Sequence, residues 1–320
     1  MPKVYLLQDN KYSDITDFIA TIKWSGGKSE VARKLEIKLL NSILDQNIPD
    51  LYIKNGSILK LFNDDGKLLY KGFVFFNSRA SKASSVIVTS YDHLIYLLKN
   101  KGTYNFKNKT PEEITAILCN DFQIPKGNIA KTGVQQSFLS KNKKIYDIIM
   151  TAYTKASRKN GKKYMPIAED GKLSIIESGQ MITSFMLSDE SNISDSGYSE
   201  SIENMVNRIK IYDSKGKYIG EVDNKDWIKA YGILQGIYIK EKDKDAYAAA
   251  KEMLQGIEKK VNVQAVGNIE CVTGKGIKLK DTGTGLTGVF FVESDVHTWS
   301  NGQHIMQLNL SFEKIMDERS

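Results

Sequence analysis

Cysteine is almost missing from this chain: only Cys119 and Cys271 occur in 320 residues. They stand 152 positions apart, so they can build neither a disulfide framework nor a cysteine-based zinc site, and buried free thiols are expected. Long apolar runs are missing too. No stretch approaches the roughly 18 residues needed to span a bilayer, and the apolar stretch Val4 to Leu7 is too short for a signal-peptide core. A protein made in the cytoplasm, without signal peptide or membrane anchor, is therefore expected. Histidine is scarce as well, with three residues, which leaves little for a histidine-based metal centre.

What is present suffices for real cores. The hydrophobic fraction is 41%, which excludes disorder along the whole chain, and the length suits two or three domains. The formal net charge is +7, from 45 Lys and Arg against 38 Asp and Glu. That excess is local. Residues 99 to 163 hold fourteen basic residues and four acids, a net of +10, so the remainder sums to −3.

Three segments follow. Up to about residue 97 the pattern is strand-like: Ile15, Phe18, Ile19, Ile22 and Trp24 lead into Ser25-Gly26-Gly27-Lys28, and Val31, Leu35, Ile37 and Leu39 then alternate with charged residues. This reads as a hairpin about a Gly-Gly turn. Strands are expected at Ile58 to Phe62, Leu68 to Phe76 and Ser85 to Ser90, with a Ser/Lys/Ala loop before the last. At Thr110-Pro111-Glu112-Glu113 a cap hydroxyl, a first-turn proline and a glutamate three residues after the cap start a helix. A second helix is expected from about Lys144 to Ala156, then a hairpin of Tyr164 to Ala168 and Leu173 to Glu177. After residue 180 strands return at Phe185 to Leu187, Val206 to Tyr212, Tyr218 to Val222, Ile233 to Ile239, Val261 to Val266, Gly288 to Ser294 and His304 to Phe312, with one helix at about 245–257. The expected fold is mainly β with an α+β insert. Two β barrels of similar build, residues 1–97 and 181–320, flank a basic α/β domain at 98–180. A weak internal repeat supports this, setting Gly56 to Leu61 and Leu69 to Phe76 beside Gly274 to Leu279 and Leu286 to Val292.

Candidate chemistry is thin. Ser25-Gly26-Gly27-Lys28-Ser29 ends like a phosphate-binding loop, but Ile22 stands where that pattern needs glycine, and a strand follows where it needs a helix. His297 and His304 flank a hairpin without a convincing third ligand, so structural or hydrogen-bonded histidines are the better reading than a shared metal, and His93 is expected to pack. Asp64/Asp65 and Asp189/Glu190 are adjacent turn residues, unsuited to facing each other across a cleft. No catalytic, cofactor-binding or metal residue is assigned, no cofactor is expected, and no interface residue is assigned. The basic segment interleaves Tyr104, Phe106, Phe122, Phe138, Tyr146, Tyr153 and Tyr164, as a single-strand nucleic-acid binder would need. A solvated face, or one meeting an acidic protein partner, is favoured over that.

Taken in order, Ile15-Thr16 through Trp24-Ser25-Gly26 with Ala32 to Glu36, Tyr91 to Asn100, Tyr104-Asn105-Phe106 with the Thr110 helix start, and Val296 to Ser300 with Met306-Gln307-Leu308 resemble the PBSX-type XkdQ/YqbQ family of contractile phage tail hub proteins. The resemblance implies a non-enzymatic baseplate hub of a contractile phage tail or phage-tail-like bacteriocin. In such a hub two tube-like barrels per chain form a homotrimeric ring that joins a sixfold tail tube to a threefold spike. Implied partners are the spike, the tube or tube-initiator protein, and tape-measure and other baseplate proteins, with no nucleic acid expected. The part from Thr110 to Lys163 loosely resembles a peptidoglycan-binding LysM-type insert. The alternatives are a wall-binding or wall-hydrolysing tail protein and a nucleic-acid-binding barrel protein.

Overall fold

Residues 2–40, 51–79, 85–241 and 244–319 are described by the computed structural model, and the chain is mainly β. The Ser/Lys/Ala loop expected before Ser85 begins outside the described residues. Among them, no helix is long and apolar enough to cross a membrane.

The first segment holds β1 (Lys3–Gln8), β2 (Lys11–Asp14), β3 (Ile19–Gly27), β4 (Lys34–Leu40), β5 (Ile58–Phe62), β6 (Leu68–Arg79) and β7 (Ser85–Tyr91). Alternation drives it. Val4, Ile22, Leu35, Ile37, Leu59, Leu61 and Val88 lose all exposure on one face, while Lys23, Lys38 and Ile87 look outward. The Gly-Gly pair is not the turn. Gly26 and Gly27 close β3, and the chain reverses over residues 28–33.

The middle segment runs α1 (Leu94–Lys99), β8 (Lys101–Lys109), α2 (Pro111–Asp121), β9 (Lys126–Ile129), β10 (Gln136–Lys144), α3 (Ile145–Asn160), β11 (Tyr164–Glu169) and β12 (Lys172–Glu177). The expected capping box is formed: Thr110 Oγ1 accepts from Glu113 N, and the Glu113 carboxylate accepts from Thr110 N at 2.8 Å. β8 and β10 pair as an antiparallel ribbon, and α3 ends at Gly161 in the left-handed region.

After β13 (Gln180–Ser188) and β14 (Ile193–Ser201), a compact unit, Gly197–Val261, separates from the rest, Met1–Ser196 with Asn262–Ser320. These units differ from the segments 1–97, 98–180 and 181–320 read from the sequence. The smaller unit holds β15 (Arg208–Tyr212), β16 (Tyr218–Asp223), α4 (Lys225–Tyr231), β17 (Gln235–Ile239) and α5 (Ala246–Glu252), followed by β18 (Glu258–Val266). In it Ala246 and Ala250 pack on Ile209 and Ile211. The helix expected to reach Ile257 stops at Glu252 because Gln255 pairs with Val206 and the chain goes on as β18.

The chain closes with β19 (Lys275–Asp281), β20 (Leu286–Ser300) and β21 (Gln303–Ser311). β20 is the central piece, pairing with β19 and then β3 along one side and with β21 on the other. Both β segments thus share one 13-stranded sheet, with the path β14-β18-β21-β20-β3-β4-β7-β6-β5-β1-β2 and β13-β19 branching from β20. The suspected repeat has a local structural counterpart. Gly56 and Gly274 both take positive φ (86° and 92°), and each donates its N–H to a valine carbonyl of the following hairpin strand, Val74 at 2.7 Å and Val292 at 2.9 Å.

Candidate functional site

Two features stand out in the larger unit: a buried polar seam where the first and last β segments meet, and a basic face on the middle segment.

The seam begins with a missing Cβ. Gly26 lies opposite Asp295 in the β3–β20 register, and a Cβ on Gly26 would sit 2.5 Å from Arg33 Nη1. Glycine therefore clears the path by which Arg33 crosses the strand. The guanidinium passes 4.0 Å from the Trp24 ring centroid and donates twice to Asp295, from Nη1 at 3.0 Å and Nη2 at 2.5 Å. Asp295 also accepts from Thr273, through N at 2.7 Å and Oγ1 at 2.6 Å. Its burial alone would raise the carboxyl pKa, but the Arg33 charge and bonds, with His297 and Thr273, bring it below the ordinary carboxylate value.

Behind Asp295 sits the histidine pair. His297 Nε2 lies 3.1 Å from the Cys271 carbonyl, and His297 Nδ1 lies 3.1 Å from His304 Nε2. A carbonyl only accepts. In the neutral ring, Nε2 of His297 thus donates to Cys271, which leaves Nδ1 to accept from His304. Burial lowers both pKa values, and for His304, with the neighbouring His297 adding to it, the value falls to about 4. Both rings are neutral near pH 7. The two rings are hydrogen-bonded to each other, and no group of three or more metal-ligating side chains occurs among the described residues.

Arg33 also anchors the entry to the middle segment. Its backbone N–H donates to Asp92 at 3.0 Å, and Leu94 N donates to the same carboxylate at 2.9 Å, which starts α1. Burial lifts Asp92 to about 7 against the lowering effect of these two donors and of the Arg33 charge. The last residues complete the tie: Met316 joins the core of the middle segment, Tyr146 Oη donates to Asp317 at 2.8 Å, Lys163 pairs with Glu318, and Arg319 N donates to Thr154 at 3.0 Å. The arrangement is one of position. It sets the strands and the middle segment in register.

The other singled-out residues fall elsewhere. Lys28 pairs with Glu293 at 3.5 Å. Half-buried His93 packs edge-on against Phe73, and burial, with the Lys71 charge, lowers its pKa. Asp65 accepts from Asn63 in its turn, while Asp189 caps Thr282 and Glu190 pairs with Lys280 at 2.6 Å. Both cysteines are buried, and burial raises Cys119 to about 11 and Cys271 to about 12.

None of the fourteen basic residues between 99 and 163 is buried. The aromatics that interleave with them do the opposite. Phe106, Tyr146, Tyr153 and Tyr164 are core, and Tyr104, Phe122 and Phe138 pack against that core. Four of the seven rings are thus unavailable for stacking on a base, and the other three are half-buried. Sequence reasoning counted these rings without a way to see which way they point.

The YQBQ-like family model matches residues 22–311. The chain is 25% identical to the uncharacterized protein YqbQ of Bacillus subtilis (strain 168), over 97% of this chain and 96% of the relative. It is also 25% identical to the phage-like element PBSX protein XkdQ of the same organism, over 99% of both. In fold it is similar to the 43 kDa tail protein of prophage MuSo2 from Shewanella oneidensis, with a TM-score of 0.73 at 12% identity, covering 97% of this chain and 98% of that one. The tail protein of Neisseria meningitidis MC58 follows with a TM-score of 0.66 at 14% identity, over 97% and 96%. The E. coli c3393 protein, a type VI secretion component described as similar to the T4 tail proteins gp27 and gp5, gives 0.54 at 8% identity, over 94% and 75%.

Proposed function

The chain belongs to the YQBQ-like family, and from that premise we propose that it is a structural, non-enzymatic baseplate hub protein of a contractile phage tail or phage-tail-like bacteriocin. The observation that carries this reading is the near full-length likeness in fold to a phage tail protein, at a TM-score of 0.73. Three copies form a ring. The segments 1–97 and 181–320 supply the two tube-like barrels per chain, so that three chains offer six similar units to the tail tube above and a threefold seat to the spike below. The paired glycine-led hairpins, with the same valine-carbonyl bond in each, support two related β units in one chain. Heterologous contacts around a closed ring also turn open strand edges, such as those of β2 and β14, into interface. Spike, tube or tube-initiator and tape-measure proteins are the expected neighbours.

Sedimentation or light-scattering mass of the chain, alone and mixed with its spike and tube proteins, tests the reading. A trimer is expected, at the latest once a partner is added. A chain that stays monomeric with both partners present overturns the hub.

A further inference from the structure

We propose that the open edge of β17 takes an extended strand of a partner protein, one with alternating aliphatic side chains and a carboxylate at its end. The sheet of the smaller unit runs in the order β16-β15-β17, so β17 pairs with β15 on one side only. Lys240 N donates to the Tyr212 carbonyl at 2.8 Å. Backbone groups alternate along a strand, so the N–H of Tyr238 also points to β15, while those of Gln235, Ile237 and Ile239 point to the open side. Ile237 and Ile239 share the sheet face opposite Ala246 and Ala250 of α5, and they are 57% and 61% exposed.

Sheet edges are normally blunted by charge, proline or a bulge. Among the described strands, β2 carries Asp14, β14 Asp195, β16 Glu221, β9 Lys126, β8 and β10 several lysines, β11 Pro166, and β13 a register break between Met181 and Met186. β17 has no charged residue and no proline, and its register with β15 runs unbroken from Gln235 to Ile239. An edge left open in this way is a template for a strand, whose own aliphatic side chains would cover the two isoleucines. Charge selects that strand. No acid occurs between Gly232 and Lys240. Lys240, just past the strand, and Lys210, beside Ile237 in the register, form no ion pair among the described residues, and Glu221 next to Lys210 lies 3.8 Å from Arg208 instead. A second copy of β17 would bring the same cations to the joint and add repulsion, where an acidic strand adds attraction.

The test uses the full chain and a fluorescein-labelled heptapeptide, Glu-Ile-Thr-Val-Thr-Ile-Glu, followed by anisotropy. The peptide should bind, and its counterpart with lysine at both ends should bind about threefold more weakly, as expected for an exposed charge pair. I237P removes the central outward N–H without touching the bonds to β15, at a place where an edge strand accepts proline. It should weaken binding about tenfold. I237T/I239T keeps the strand propensity and removes the apolar cover, and with its melting temperature unchanged it should weaken binding to a similar extent. Y12T, on the end strand β2, should stay within about twofold of the parent. No peptide binding, parent-like binding by either folded β17 variant, or a lysine-ended peptide that binds as tightly would each overturn the proposal. A parent dimer that I237P turns into a monomer would put a second copy of the chain on this edge and overturn the acidic partner.

Discussion

Arg33 shows how one side chain can depend on the absence of another. Gly26 leaves the space, Trp24 supplies the face, and Asp295 supplies a carboxylate that is fully buried, while Arg33 keeps a side-chain exposure of 15%. A buried ion pair broken on one side leaves an uncompensated charge, at a cost of roughly 3–5 kcal/mol. Asp295→Ala is therefore expected to lower the urea midpoint by that equivalent. The double variant R33M/D295L should cost clearly less than the sum of the two single changes, because no charge is left behind. Equal, additive losses would show that the pair is not coupled.

Acid stability follows from two opposed titrations in the same seam. The folded-state pKa values of His297 and His304 lie below the unfolded 6.5, so the unfolded chain takes up protons first. The stability they contribute is complete above pH 6.5 and is lost as pH falls toward 4. Asp92 runs the other way. Raised from 3.8 to about 7, it contributes stability that is complete below pH 3.8 and is lost as pH rises through 7. Between pH 4 and 6.5 the two slopes oppose. Asp92→Asn removes one of them, so its denaturant midpoint should fall more steeply with acid than that of the parent chain, and parallel curves would contradict this account.

At the scale of elements, local chemistry decided what could be read. The α2 start was legible because a cap hydroxyl, a first-turn proline and a glutamate agree within four residues, and the structure forms both reciprocal bonds. Thr110→Ala should cost about 1 kcal/mol, seen as a lowered melting temperature. No change would mean that packing alone holds the helix end. β21 was legible for the same kind of reason, since Met306, Leu308 and Leu310 are buried and Ile305, Gln307 and Asn309 face out. β14 was not, because Ile193-Ser194-Asp195-Ser196-Gly197 carries no apolar alternation and is held by its neighbour β18. α4 does carry a local signal in its two ends: Asn224 caps Trp227 N at 3.1 Å, and Gly232 ends the helix with positive φ.

For the whole molecule, the C-terminal residues matter more than their length suggests. Ile315 and Met316 are buried, and Asp317, Glu318 and Arg319 bond to Tyr146, Lys163 and Thr154. A chain stopped after Phe312 should expose that part of the middle-segment core. It is expected to melt at lower temperature and to bind an apolar dye such as ANS. An unchanged melt with no dye binding would show the strap to be a passenger.

By itself the sequence determined the alternating strands, the capped helix, the +10 concentration of charge and the family likeness, all of which rest on spacing within a few residues or on ordered motifs. It also showed how poor the chain is in cysteine and histidine, and so where chemistry was not to be sought. Only the tertiary structure decided that Gly26 is a passage for Arg33, that four of the seven rings of the basic segment are core, and that the histidines form a neutral pair. Arg33 and Asp295 are 262 positions apart. Periodicity carries no information across such a span, because what brings the two together is the pairing of β3 with β20, and that pairing exists only once both β segments have folded onto each other.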